Sequence, residues 1–182
     1  IDRCRRYGFR GHEALALRDL GMAHSELGRE DEALESLRAA IQLRRSLSDT
    51  EILEQSVISL ATFLNELGVT ARKYGRLDES MQAFLENVEI HHQKGDWHLE
   101  ALTLSEIGYI YQSSGERDRA IEFLGKAVQT EEVHGPTTYS KRWKMQVARM
   151  GDRASQHSDV DKERIDEGGD SESFDSDGLD SH

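Results

Sequence analysis

The sequence predicts an all-α fold in which antiparallel helix pairs stack in series to form an αα-superhelix. The main observation is a unit of two segments joined around a glycine, which the chain of 182 residues contains three times. The copies read GMAHSELGREDEA at 21–33, GVTARKYGRLDES at 68–80 and GYIYQSSGERDRA at 108–120. A second observation is that each predicted pair has an apolar face with nothing of its own to cover it. Stacking the next pair over that face keeps it out of water.

Each copy has the same order of small and large residues. A first glycine is followed by a second after seven residues, by a small residue five later and by a large apolar residue four after that. We expect the first glycine to let two helices approach closely, and the second to end the first helix in a conformation that is costly for other residues. The small residue should lie where the helices cross, with the large one in the groove beside it. These positions are Gly21, Gly28, Ala33 and Leu37 in the first copy, Gly68, Gly75, Ser80 and Phe84 in the second, and Gly108, Gly115, Ala120 and Leu124 in the third, with Ala40, Asn87 and Ala127 three residues further on.

This pattern resembles the tetratricopeptide repeat, which combines Leu-Gly, an aromatic residue three positions later, an alanine and a phenylalanine-like position. Tyr111 matches the aromatic position in the third copy, whereas His24 and Ala71 replace it in the other two. The middle copy also departs from both alanines, with Ser80 and Asn87. The resemblance implies a solenoid over 1–135, in which 1–10 end a preceding repeat and three repeats occupy about 12–47, 50–94 and 97–134.

The remaining segments connect or end these repeats. The first junction is seven residues longer than the others, and two extra helical turns entering at about 48–50, with Ser48 or Asp49 as the N-cap, would absorb them. After the third repeat, Trp143, Met145 and Val147 between basic residues predict a capping helix over 136–151. Residues 159–182 hold ten carboxylates against two basic residues, which is −8 of the net charge of −12. The sequence therefore predicts a disordered acidic tail over 152–182, and one hypothesis docks its Phe174 and Leu179 on the basic face of the capping helix.

Composition and motifs exclude several functions. The net charge of −12 disfavours nucleic acid as a partner, and no apolar run or signal peptide suggests a membrane, so we expect a cytoplasmic protein. No nucleophile elbow, phosphate-binding loop or zinc-ligand spacing occurs, so we expect no enzyme activity, no cofactor and no small-molecule substrate. His91, His92 and His98 form the one local group that could suggest a metal site or a metal-dependent enzyme. Because adjacent helical residues diverge by about 100°, exposed histidines at a helix end are the preferred interpretation.

The resemblance implies that the first helix of each pair lines a concave groove, which receives an extended or helical peptide of a partner protein. Transferring the groove positions by register gives a polar lining with a few apolar contacts. The nine candidates are Arg18, Met22 and Ser25, then Asn65, Val69 and Arg72, then Ser105, Tyr109 and Gln112. Relatives that hold the carboxylate of chaperone tails use a lysine and asparagine constellation, of which Asn65 alone is matched here while Lys73 is one position away, so that ligand is disfavoured.

Two functions therefore remain open. The first is a scaffold or adaptor module that binds a protein or peptide and has no chemistry of its own. The second is a sensory or regulatory arm of a larger signalling protein, such as a nucleotide-dependent switch ATPase of the STAND type, whose repeats the 40-residue period resembles. The chain begins at Ile1 without a methionine, and we expect the parent sequence before it to decide between the two.

Overall fold

The computed structural model describes residues 1–6, 8–54, 59–135 and 138–151. Consecutive helices within this part of the chain form three antiparallel pairs, α2 with α3, α5 with α6 and α7 with α8. Each pair packs on the next through α3 with α5 and through α6 with α7, which confirms the all-α fold of stacked pairs. The helices are α1 (Asp2–Arg6), α2 (Arg10–Glu26), α3 (Glu30–Arg45), α4 (Asp49–Glu54), α5 (Leu60–Lys73), α6 (Leu77–Lys94), α7 (Trp97–Ser113), α8 (Arg117–His134) and α9 (138–151).

The first glycine of each copy lies where the two helices of a pair cross. A Cβ atom added there would approach the large apolar residue that the spacing pairs with it to a distance that real Cβ atoms do not reach. A Cβ added at Gly21 would lie 2.7 Å from Leu37 Cγ. One added at Gly68 would lie 2.7 Å from Phe84 Cε1, and one added at Gly108 would lie 2.8 Å from Leu124 Cγ. All three large residues are fully buried. The close approach that the spacing predicts is therefore present in every pair.

The turn inside each pair ends on the second glycine. Gly75, for example, has a φ of +74°, which is left-handed and strained for other residues. Its amide donates to the Arg72 carbonyl at 3.0 Å, and the amide of Arg76 donates to the Ala71 carbonyl at 2.8 Å, so the last carbonyls of α5 are satisfied. The corresponding glycines of the other two pairs have φ values of +73° and +78°.

The middle pair keeps this geometry although its small residue is polar. Ser80 is fully buried at the crossing of α5 and α6, where the other pairs have alanine. Its hydroxyl donates to the Gly68 carbonyl oxygen at 2.7 Å. The serine therefore fits the crossing because its polar group bonds within its own helix pair.

The expected long helix entering near residue 49 is interrupted. Ser48 and Glu51 form a reciprocal cap at the start of α4, and the hydrogen bonds from the backbone and side chain of Ser48 lower the pKa of Glu51 below its ordinary value. A second cap follows at Ser59, whose backbone is extended and whose hydroxyl accepts from the amide of Ala61 at 3.3 Å. Because Ser59 starts a new helix, the prediction of one continuous helix was wrong.

Helix α9 packs on the last pair. Trp143 and Met150 are buried in the same apolar cluster as residues of α7 and α8, and Val147 packs against it. Met145, which the sequence placed on this stripe, is 67% exposed. It lies about 200° around the helix from Trp143, whereas Val147 and Met150 return to the buried face. The predicted tail, 152–182, lies outside the described residues.

Within the described ranges, every helix is too short or too polar to cross a bilayer.

Candidate partner-binding groove

The first helices of the three pairs, α2, α5 and α7, carry the nine predicted groove positions at spacings of four and three residues. These spacings place the three positions of each helix on one face. Polar contacts join these neighbouring helices at or beside the predicted positions. Lys73 donates to the backbone carbonyl of Ser25, and its Nζ lies 3.2 Å from the Ser25 hydroxyl. One pair further on, Arg72 Nη1 lies 2.9 Å from Glu106 Oε2.

The connection continues to the last helix. Gln146 of α9 donates from Nε2 to Gln112 Oε1 of α7 at 2.6 Å. The helices α2, α5, α7 and α9 are thus connected in series by polar contacts at each junction. These contacts favour a surface that runs across all the repeats.

The nine positions differ in what they offer to a partner. Asn65, Val69 and Gln112 are exposed, whereas Arg18, Met22, Arg72 and Tyr109 are partly buried and Ser25 and Ser105 are buried. The Ser105 hydroxyl donates to the Leu102 carbonyl of its own helix at 2.7 Å. A partner therefore meets the amides and apolar side chains of this face rather than its two serines.

A cleft of about 490 Å³ opens beside Asn65, between α5, α6 and α7. The second helix of the middle pair forms its floor through Asn87 and His91, and α7 contributes Thr103 and Glu106. Asn87 is only 1% exposed, yet its Oδ1 has no hydrogen-bond partner in the described part of the chain. The cleft thus contains a buried polar atom that the fold does not satisfy.

Two further atoms of this cleft are buried without a hydrogen bond among the described residues. His91 Nδ1 lies 3.5 Å from Asp96 Oδ2, too far for a good hydrogen bond. Glu106 Oε2 has the charge contact with Arg72, but the two groups are not aligned as donor and acceptor. Three side chains that line the cleft thus each have a buried polar atom without a hydrogen bond among the described residues.

The interpretation of His91 as an exposed residue at a helix end was wrong. His91 is 8% exposed because it follows Phe84 and Asn87 on the buried face of α6. His92 is exposed and lies 3.1 Å from Glu100, and His98 Nδ1 lies 2.7 Å from Glu131. Within the described ranges, no three metal-ligating side chains converge on one point.

Trp97 occupies the junction between the second and third pairs. Its ring stacks on the His134 ring, with centroids 4.2 Å apart and an angle of 6° between the planes. The edge of His92 faces it at 5.8 Å. Trp97 therefore packs between the end of α6 and the end of α8, as an aromatic wedge rather than as part of the groove.

The sequence-based set of nine did not include the floor of the cleft. Asn87, His91 and Glu106 lie outside the family's groove register, and Asn87 and His91 belong to the second helix of a pair. The available signal was Asn87 itself, because a polar residue stands where the other two copies have alanine. Ala40 and Ala127 are fully buried at the matching positions.

Comparison with known families identifies the repeat. Two segments, residues 14–51 and 101–138, match the family model of the tetratricopeptide repeat. Each of these two segments is a tetratricopeptide repeat. The middle helix pair lies outside the matched segments, and it is the copy in which Ala71, Ser80 and Asn87 depart from the pattern. No curated protein sequence matches the chain.

Solved structures with tetratricopeptide-type folds are similar to the chain at low sequence identity. The N-terminal domain of stress-induced protein-1 from C. elegans has a TM-score of 0.61 at 18% identity, with 78% of this chain and 97% of that domain covered. A putative kinesin light chain of Podospora anserina with nearly identical TPR-like repeats gives 0.56 at 17%, covering 79% and 68%. Aspartyl phosphate phosphatase F from Bacillus subtilis gives 0.57 at 11%, and the alignment covers 80% of this chain but 42% of that one. These similarities concern the fold alone.

Proposed function

We propose that the repeats form a scaffold or adaptor module of the cytoplasm, which binds a peptide or helix of a partner protein and catalyses no reaction. Tetratricopeptide-repeat domains generally bind proteins, and two segments of this chain match that family. The observation that carries the proposal is the series of contacts from Ser25 through Arg72 to Gln112. Because these contacts hold α2, α5, α7 and α9 side by side, a partner can touch several repeats at once.

The chemistry of the face suits an extended peptide. Met22, Val69 and Tyr109 offer one apolar contact on each helix, and methionine in particular adapts to different partners. Asn65 and Gln112 carry amides that can pair with the backbone groups of a peptide. Alternating apolar and amide contacts along the face would bind side chains and backbone of the same segment.

A peptide selection with a matched pair of variants tests the proposal. Random peptides displayed on phage are selected on the full chain, and their affinities for Val69→Glu and Leu85→Glu are compared. Val69 on α5 is 38% exposed and Leu85 on α6 is 46% exposed, so both variants place a charge at an exposed apolar site. We expect Val69→Glu to weaken binding at least about tenfold and Leu85→Glu to leave it unchanged. Equal effects, or no selected peptide, would contradict the proposal.

The regulatory arm of a larger signalling protein stays a prediction. A phosphate-binding loop followed by an acidic metal-binding strand in the same polypeptide would support it, whereas further repeats alone would favour the adaptor.

A further inference from the structure

We infer that the acidic segment 170–180 of this chain binds the exposed face of α9 on which Arg142 and Arg149 lie. A cavity of about 520 Å³ opens at this face, between α9 and the end of α7. Its lining includes Gln112, the last of the nine candidate groove positions. The inference places a surface that binds carboxylates at the end of the candidate groove, and it does not depend on the proposed function.

The face of α9 that lines the cavity is cationic. Arg142, Met145 and Arg149 follow each other at spacings of three and four residues, so they share one side of the helix. Both arginines are exposed, and neither has an ion pair with the residues that the structure describes. The described lining contains no carboxylate. A carboxylate ligand can therefore reach two guanidinium groups, each of which can bind it through two parallel hydrogen bonds.

The structure separates the basic residues of α9 into two sides. Lys144 lies about 200° around the helix from Arg142. It pairs with Glu132 of α8, and Lys141 shares its side of the helix three residues earlier. Neither lysine lines the cavity. The arginines are thus the cations available to an acidic ligand at the cavity, and the two lysines provide a matched control.

An exposed apolar side chain lies between the two arginines. Met145 is 67% exposed, although the outer face of a helix that ends an array of repeats is normally polar. The flexible side chain of methionine adapts to apolar partners of different shape. The cavity therefore favours a ligand that carries both carboxylates and an apolar side chain.

The chain itself contains a segment of this chemistry. The sequence DSESFDSDGLD at 170–180 has five carboxylates, no lysine or arginine, and the two apolar residues Phe174 and Leu179. Helix α9 has the opposite composition, with four cations and no carboxylate in 138–151. An apolar residue of the segment would pack on Met145 while the neighbouring carboxylates contact the arginines.

The connecting chain is long enough for this contact. Phe174 follows Gly151, the last residue of α9, by 23 residues. A flexible chain of that length spans about 25 Å on average. Arg142 and Gly151 lie only about 14 Å apart along the helix. A flexible tether also gives the segment an effective concentration on the order of 1 mM, so contacts that are weak individually are sufficient.

A spin label beside the acidic segment tests the inference on the full chain. Cys4 is the single cysteine, so Cys4→Ser allows a nitroxide to be attached through Ser181→Cys, just outside the segment. The measurement is the paramagnetic broadening of the amide signals of α9.

Two double variants of this labelled chain are compared. One combines Arg142→Glu with Arg149→Glu, and the control combines Lys141→Glu with Lys144→Glu. Both change the net charge by the same amount, and the signals of Trp143, which is buried against α7 and α8, verify that α9 stays packed.

We expect broadening centred on Met145 that falls at least about fivefold in the arginine variant and is kept in the lysine variant. It should also be lost in about 0.5 M sodium chloride, where the Debye length is about 4 Å. Absence of broadening on α9, equal loss in both double variants, or broadening that persists at high salt would overturn the inference. Broadening that arises only between spin-labelled chains and separate isotope-enriched chains would assign the contact to a second copy, and would overturn it as well.

Discussion

Replacing Asn87 by alanine should make the protein more stable. The unsatisfied Oδ1 costs about 1–3 kcal/mol, because this oxygen is buried away from water and has no partner among the described residues. Alanine also has the better helix propensity, by up to about 0.7 kcal/mol. The truncation also removes packing contacts of a short side chain, worth about 1 kcal/mol. The expected net gain is about 1.5 kcal/mol, or about 3–6 °C in the melting temperature of a chain of this size.

Asn65→Ala is the matched control for this prediction. Asn65 lies in the interior of α5 and is exposed, so its replacement has the same gain in helix propensity without relieving a buried acceptor. We expect that variant to gain about 0.5 kcal/mol, which corresponds to about 1–2 °C. The difference between the two variants isolates the contribution of the buried amide.

Circular dichroism at the helical band, followed through thermal unfolding of the three proteins at one concentration, provides the measurement. If Asn87→Ala is no more stable than Asn65→Ala, Asn87 Oδ1 is satisfied in solution and the interpretation of this atom as an unpaired acceptor is wrong.

Three further predictions concern the fold. Gly21→Ala should lower the free energy of unfolding by about 1–3 kcal/mol, because the new Cβ would lie 2.7 Å from Leu37. Gly125→Ala in α8, where the new Cβ would have open space, should raise it by about 0.5–1 kcal/mol. A gain at both sites in urea unfolding would refute the close crossing. The pKa of Glu51 is lowered in the fold, so the stabilisation that its carboxylate gives to α4 is present above the unfolded pKa and is lost as pH falls through the lower folded pKa. Glu51→Gln should remove this acid dependence of α4 in an NMR titration. An unchanged dependence would contradict the cap. Trp143→Ala should cost about 3–5 kcal/mol in urea unfolding, since the side chain is 1% exposed against α7 and α8, and a loss below about 1 kcal/mol would mean that α9 does not pack there.

The helix crossings could be predicted from the sequence because their cause is local. A glycine and a large residue at a fixed spacing meet wherever two helices form a hairpin, so Gly68 could be paired with Phe84 before any coordinates were known. The interruption before α5 could not, because Ser48 and Ser59 are both good N-caps and one continuous helix is also consistent with the length of the junction.

The candidate site was predictable only in part. Its helices and register follow from the repeat, but the burial of Ser105 and His91 depends on how one hairpin packs against the next. Periodicity within a hairpin does not contain that information. The polar floor at Asn87 was visible as a departure from the pattern, and its unsatisfied state required the three-dimensional arrangement.

The separation between glycine and facing side chain is 16 residues in every hairpin, as the pairs Gly21 with Leu37 and Gly68 with Phe84 illustrate. The packing of the two helices within each hairpin is therefore fixed by buried residues that face each other and not a binding partner. The surface that contacts a partner is free to vary from one hairpin to the next. A chain of this design can therefore acquire a new binding specificity when a single hairpin is exchanged, while the buried contacts stay the same.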